Sequence, residues 1–278
     1  MKRNPLVLLS RGAAYALLCL MAALTLTPLF WLVAAAFKAP DDLFHYLFFP
    51  PLDKFSLVNF QDLFKTVPFA RYLINSTFVA GTTVMVQLFF SSLAGFALAK
   101  YEFVGKRAFM VLMLATLMIP GQVTMAPLYE LIYRLGLMDS YAGLIVPQAV
   151  SVFGIFLFRQ YFLQLPDELL HAARIDGCSE FGIYWNVIMP VSRPMVGAFC
   201  LISFMATWNS FLWPLIIVND TNQMTVPLGL QLFLGQQGQR WELLMAAATI
   251  SMVPTVLLVL ALQKYLVRGI ALSGLGGR

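Results

Sequence analysis

Apolar positions along this chain run together in long uncharged stretches, with the polar positions gathered between them. Helices that cross a hydrocarbon core about 30 Å thick need roughly 20 apolar residues. Six stretches without Asp, Glu, Lys or Arg meet that length: 12–37, 72–99, 108–129, 140–158, 194–219 and 243–263. Each is expected to be a transmembrane helix. Another uncharged run, 221–239, holds Thr221, Asn222, Thr225, Pro227 and several glutamines and glycines. Those residues make insertion costly, so it is expected to be an external loop.

One segment departs from this pattern. "LLHAARIDGCSEFGIYWNVIMPVSRP", residues 169–194, is amphipathic and partly charged. Pro166 suits a first helical turn, and Asp167 and Glu168 fall near its positive end, with about two turns running to Ile175. Gly177 stops that helix, and Ser179 can cap a second in which Phe181, Tyr184, Trp185 and Ile188 recur at three- and four-residue spacing. Pro190 and Pro194 then interrupt the run into the fifth span. A helical hairpin hinged at Asp176-Gly177 is expected within a connecting loop, 159–193. Small Ala172 and Ala173 would let another surface approach its first helix closely. Spacing alone leaves two readings open, a helix that enters a groove and an amphipathic helix that lies on the membrane.

Composition supports the membrane reading: 60% of residues are hydrophobic and 11% charged, against roughly 25% charged in soluble domains. The fold class expected is all-α and polytopic, with a short N-terminal segment, 1–11, and one membrane domain over 12–278. The first apolar run is longer than the roughly 7 to 15 apolar residues of a signal peptide. Of the 18 Lys and Arg residues, Lys2, Arg3, Arg11, Lys100, Lys106, Arg107, Arg159, Arg174, Arg193, Lys264, Arg268 and Arg278 fall on the side of the N-terminus. Retention of basic residues inside then puts both termini and the hairpin in the cytoplasm. The net charge of +5 is a topology signal and implies no nucleic-acid partner.

Several chemistries lose their sequence basis. None of the six runs contains an ionisable side chain of the kind that marks ion-coupled transport or intramembrane catalysis. Gly105-Lys106 lacks the upstream glycine of a phosphate-binding loop. His45 and His171 are expected on opposite faces, so no metal site is expected. Cys19, Cys178 and Cys200 form no paired motif and are assigned no chemistry. A secondary transporter would need inverted repeats and an ion site, and a scaffold that transports nothing is the other rival class. If the chain moves a solute, the energy comes from another polypeptide.

"HAARIDGCSEFGIYWNVIMP" with Arg193-Pro194 resembles the EAA-type loop of ATP-binding-cassette importer permeases. Ala172, Ala173, Asp176, Gly177, Tyr184, Val187 and Pro190 stand at its pattern positions. "NSTFVA" (75–80), "GFALAKYEFVGKR" (95–107), "MIPGQVTMAPLY" (118–129), "LGLMDSYAGLIVP" (135–147), "TWNSFLWPL" (207–215) and "LVRGIALSG" (266–274) are similar to the carbohydrate-uptake, maltose-permease-like branch. The resemblance implies an importer type I permease fold in a bacterial inner membrane, and a chain that is not itself an enzyme. It also implies a second permease subunit, two ATPase subunits that hold ATP and Mg, and an extracytoplasmic solute-binding protein that delivers a sugar. Glycerol-3-phosphate is the alternative solute, less favoured because the six runs lack Lys and Arg. The hairpin would be the coupling helix, with Glu168, His171, Ala172, Ala173, Asp176, Gly177, Tyr184 and Pro190 as its coupling residues. His171 stands where the family usually has glutamate, and Glu168, one turn earlier, can share its face.

A sugar path needs hydrogen-bonding and stacking groups. Trp208, Asn209, Ser210 and Trp213 supply both in the fifth span, with Pro214 as an expected kink. Gln122 and Thr124, beside Pro120-Gly121, and Asn75, Ser76 and Gln87 are weaker candidates. All of these residue types also serve helix packing.

Overall fold

The computed structural model describes residues 5–235 and 240–275, with side chains over 11–234 and 240–264; among them there is no strand. The chain forms two compact units, Met1–Phe69 with Gly229–Val253, and Ala70–Leu228 with Pro254–Arg278.

In the first unit, α1 (Pro5–Ala36) contains a stretch, Arg11–Ala36, long and apolar enough to cross a membrane. Apolar side chains from 12 to 30 are exposed, as lipid permits, and Ala34, Ala35 and Ala36 at its end are buried. The connector that follows is ordered by the end of α1. Buried Lys38 donates through Nζ to the carbonyls of Leu43 (3.2 Å) and Tyr46 (2.6 Å). From α2 (Val58–Thr66), Asn59 donates to the carbonyls of Ala36 and Lys38 at 3.0 and 2.7 Å. The last carbonyls of α1 have no helical partner, and a side-chain amide from the next helix supplies one.

The second unit is built around α3 (Phe69–Lys100), an unbroken span. The third expected span is two helices, α4 (Lys106–Thr116) and α5 (Gly121–Arg134), bent by 98° at Pro120. The fourth is α6 (Tyr141–Ile145), a 3₁₀ turn at 146–148 and α7 (Val152–Leu163), bent by 43°. After the hairpin, the fifth is α11 (Arg193–Trp208) and α12 (Leu212–Ile217), separated at 209–211. Pro214 therefore makes no kink of its own. The chain has already broken, and Pro214 sits in the first turn of α12, where no backbone donor is needed.

Breaks at membrane depth leave backbone groups without helical partners, and in lipid these must be met internally. α3 meets them. Gln87 donates to the Gln148 carbonyl at 2.6 Å and accepts from Ser203 Oγ at 2.6 Å, and Ser91 donates to the Ser151 carbonyl at 3.2 Å. Near the start of α3, Asn75 donates to the carbonyls of Asn222 (2.9 Å) and Met224 (2.8 Å), while Ser76 Oγ accepts from Val226 N–H at 2.7 Å. Gly95 lets α7 come so close that an added Cβ would lie 2.7 Å from Phe158 Cβ and 2.9 Å from Arg159 N. A small residue at a helix crossing serves this purpose.

The run 221–239 differs from the loop expected of it. Thr221–Gln223 is a 3₁₀ turn and α13 (Val226–Gly235) a helix with Val226, Leu228 and Phe233 buried. Most of its polar residues fall at the two ends, Gln231 within α13 is exposed, and Pro227 falls in the first turn; residues 236–239 lie outside the described residues. The last span is α14 (Trp241–Leu275).

Candidate functional site

The hairpin consists of α8 (Glu168–Ile175), α9 (Glu180–Ile183), a π-helical turn at Tyr184–Ile188 and α10 (Met189–Val191). It meets α11 at an 82° bend. α8 ends as its sequence requires. Gly177 has φ +82°, the N–H of Gly177 donates to the Arg174 carbonyl, and that of Cys178 donates to Ala173, both at 3.0 Å. This pair of bonds is a Schellman cap, whose left-handed residue is almost always glycine. Ser179 Oγ accepts from Gly182 N–H at 3.1 Å and starts the second helix.

The two faces of the hairpin have different partners. Leu170 and Ala173 of α8, with Ile183, Tyr184 and Ile188, are buried against Phe96, Phe158, Phe162 and Phe199. Glu168, His171, Ala172, Ile175, Asp176 and Gly177 are exposed, the first four at the i, i+3, i+4, i+7 spacing of one helical face. Ile175 is 86% exposed, a large apolar side chain at the tip of a charged segment.

Two expectations are corrected here. Ala173 is not on the approach face, because it lies one turn from Leu170 and packs inward with it. Tyr184 does not face outward either. Its ring meets Phe96 at a centroid distance of 5.7 Å and its hydroxyl is 2.7 Å from Ser92 Oγ. Pro190 is exposed and Val187 half-buried.

Charged groups tie the hairpin to the end of α3. Lys100 Nζ contacts Asp167 Oδ1 at 2.6 Å and donates to the Leu165 carbonyl at 2.6 Å. Arg174 holds Glu180 through Nε and Nη2 at 2.8 and 3.2 Å, and the Tyr101 hydroxyl donates to Glu180 Oε2. Bonds from Lys100 hold the Asp167 carboxyl below its usual range, and bonds from Arg174 and Tyr101 do the same for Glu180.

The expected solute-path residues separate into two groups. Trp208 is buried and stacked on Phe204 at 5.4 Å, and Trp213 is buried with its Nε1 donating to the Gly143 carbonyl at 3.1 Å. Asn209 folds back onto the Met205 carbonyl at 2.8 Å, and Ser210 N–H donates to Thr207. The break in span five engages the side chains of Trp213 and Asn209 and the backbone of Ser210. Asn75, Ser76 and Gln87 are likewise committed to the backbone. Thr124 is exposed, with its hydroxyl on the Gly121 carbonyl at 2.8 Å. Gln122 lines an open groove of about 390 Å³ together with Met125, Ala126, Tyr129 and Ile216. Tyr129 was missed by sequence reasoning. The signal was present, since 122, 125, 126 and 129 lie on one helical face.

Broken spans around one continuous helix, with an amphipathic hairpin locked on by its inner face, define a polytopic permease. The family model described as "Binding-protein-dependent transport system inner membrane component" matches residues 87–272, more than half of the chain. The chain belongs to that family: it is a multi-pass inner-membrane permease subunit of an ATP-binding-cassette importer, a translocating component and not an enzyme. The arabinooligosaccharides transport system permease protein AraQ of Halalkalibacterium halodurans is 35% identical and is covered over 99% of each chain. The sn-glycerol-3-phosphate transport system permease protein UgpE of Pectobacterium atrosepticum is 38% identical over 74% of each. A chain in the crystal structure of a bacterial transporter that imports the acidic polysaccharide alginate superposes with a TM-score of 0.85 at 19% identity, covering 95% of this chain and 99% of that one. At that identity the likeness concerns the fold.

Proposed function

We propose that this chain carries a sugar, of the oligosaccharide class, across the cytoplasmic membrane with both termini inside. It pairs with a second permease subunit, receives solute from an extracytoplasmic binding protein, and is driven by two ATPase subunits that hold ATP and Mg. The observation that supports this reading best is the two-sided hairpin. Its inner face is bonded to the permease body, while Glu168, His171, Ala172, Ile175 and Asp176 stand outward for another protein. ATP shifts such an assembly only if it binds one arrangement of the subunits more tightly than the other, and the hairpin carries that difference. Gln122 and Tyr129 are the path residues this reading favours, an amide for hydroxyls and a ring for a sugar face.

A second reading, a phosphorylated polyol as solute, is favoured by the 38% identity to UgpE. Purification of the chain from native membranes with its associated subunits, followed by uptake of labelled arabino-oligosaccharides and of glycerol-3-phosphate into proteoliposomes, tests both. ATP-dependent uptake of the oligosaccharide alone is the expected result. Recovery of the chain without any ATPase, under conditions that keep such complexes together, would overturn the assembly.

A further inference from the structure

We propose that Lys100 and Tyr101 are positioning residues through which displacement of the hairpin is passed to α3, a helix to which the hairpin is not joined in sequence. The proposal rests on the reading of the hairpin as the coupling element. Covalent connection alone passes its motion to α7 and α11, the helices on either side of it. α3 packs on α7 at Gly95, and polar side-chain contacts join it to the hairpin itself at both ends of α8. Lys100, its side chain 4% exposed, holds Asp167 and the Leu165 carbonyl at the entry. Tyr101 holds Glu180, which Arg174 of the last turn grips by two bonds, at the exit.

A third contact, Tyr184 to Ser92, lies further along α3. From there α3 holds the breaks of the fourth span through Gln87 and Ser91, and the 222–226 segment through Asn75 and Ser76. The 25 residues between Asn75 and Lys100 span about 37 Å at 1.5 Å per residue. A pull at the hairpin thus reaches the opposite end of α3 along one rigid element, where bonds to non-helical backbone wait for it.

The exposure of the ion pairs separates positioning from stability. Arg174 and Glu180 are 38% and 52% exposed, and exposed ion pairs contribute little to folding; Lys100 is buried, but its partner Asp167, 69% exposed, stays solvated when Lys100 is replaced. Their loss is expected to change coupling and to leave assembly intact.

The test uses the whole complex in proteoliposomes and counts labelled solute imported per ATP hydrolysed. Tyr101→Phe and Lys100→Met are each expected to lower that ratio about fivefold or more, within the range of ordinary coupling free energies. ATP hydrolysis without binding protein should not fall, and Lys100→Arg should restore the ratio. Arg134→Met, which breaks an exposed pair with Glu130 elsewhere, should leave it unchanged. If Lys100→Met does not assemble, Tyr101→Phe decides, because it removes one hydroxyl and nothing else. A normal ratio in an intact Tyr101→Phe complex overturns the proposal while leaving the importer reading in place. Absence of ATP-dependent uptake by the wild-type complex overturns the importer reading, and the proposal with it.

Discussion

Replacing Gly95 by alanine adds one carbon where α3 crosses α7. That carbon would stand 2.7 Å from Phe158 Cβ, 2.9 Å from Arg159 N and 3.1 Å from the Ile155 carbonyl. Against an ordinary contact of 3.4 Å the first shortfall is about 0.7 Å (3.4 − 2.7). Two of the three neighbours are backbone atoms, so α7 must shift as a body. Overpacking of this kind costs about 1–3 kcal/mol. Gly81, on the same helix, provides the control, because nothing lies within 4 Å of its added carbon. There the same substitution gains about 0.5–1 kcal/mol, since alanine loses less freedom in a helix than glycine. The helix gain is common to both substitutions, so the two variants should lie about 1–3 kcal/mol apart, with Gly95→Ala the less stable. Unfolding of the isolated chain in mixed micelles, followed by tryptophan fluorescence, measures the difference. Uptake should fall with Gly95→Ala as well, because α7 leads directly into the hairpin. Equal stabilities for the two alanine variants would show that the α3–α7 approach is not close, and the account of Gly95 would fail.

Other outcomes follow from the same structure. Gly177 has φ +82° and open space around it, so Gly177→Ala should cost about 1 kcal/mol, the penalty for an L-residue in the left-handed region. Gly177→Asn should be milder in hydrogen exchange of the hairpin, and Gly177→Trp should uncouple ATP hydrolysis from uptake; normal transport by the tryptophan variant would refute a close partner at the tip. Trp213→Phe removes the bond to the Gly143 carbonyl and should cost about 1 kcal/mol of stability while the solute concentration for half-maximal uptake stays unchanged; a large rise in it would return Trp213 to the solute path. Asp139 accepts from the backbone N–H groups of Asp220 and Asn219, which depress its pKa below the ordinary 3.8. A depressed folded pKa gives stability present above the unfolded value and lost as pH falls through the folded one. Acidification to about pH 5, above the unfolded value of roughly 3.9, should leave this latch intact, whereas Asp139→Asn should loosen 217–220 at every pH; a transition between pH 5 and 7 in hydrogen exchange of that segment would contradict the assignment.

Local sequence determined a good deal of this protein. Long uncharged runs that are also poor in amides and glycine favour membrane helices, and 12–37, 72–99 and 243–263 appear as helices near those limits. Gly177 and Ser179 fix the hairpin turn because the left-handed cap and the hydroxyl cap involve only neighbouring residues. Tertiary structure decided what depends on distant partners. Hydropathy counts the residues in a run and does not say whether its backbone stays helical. The breaks in the third, fourth and fifth spans lie inside uncharged sequence, and freed carbonyls of the fourth are met by Gln87 and Ser91, 61 and 60 residues away. Asn75, Ser76 and Gln87 read as solute ligands for the same reason: a polar side chain in lipid needs a partner, and only the fold says whether that partner is cargo or backbone. Ala172 and Ala173 are adjacent and chemically alike, yet a helix turns about 100° between neighbours, so one faces outward while the other packs against Phe96 and Phe162 in the permease core.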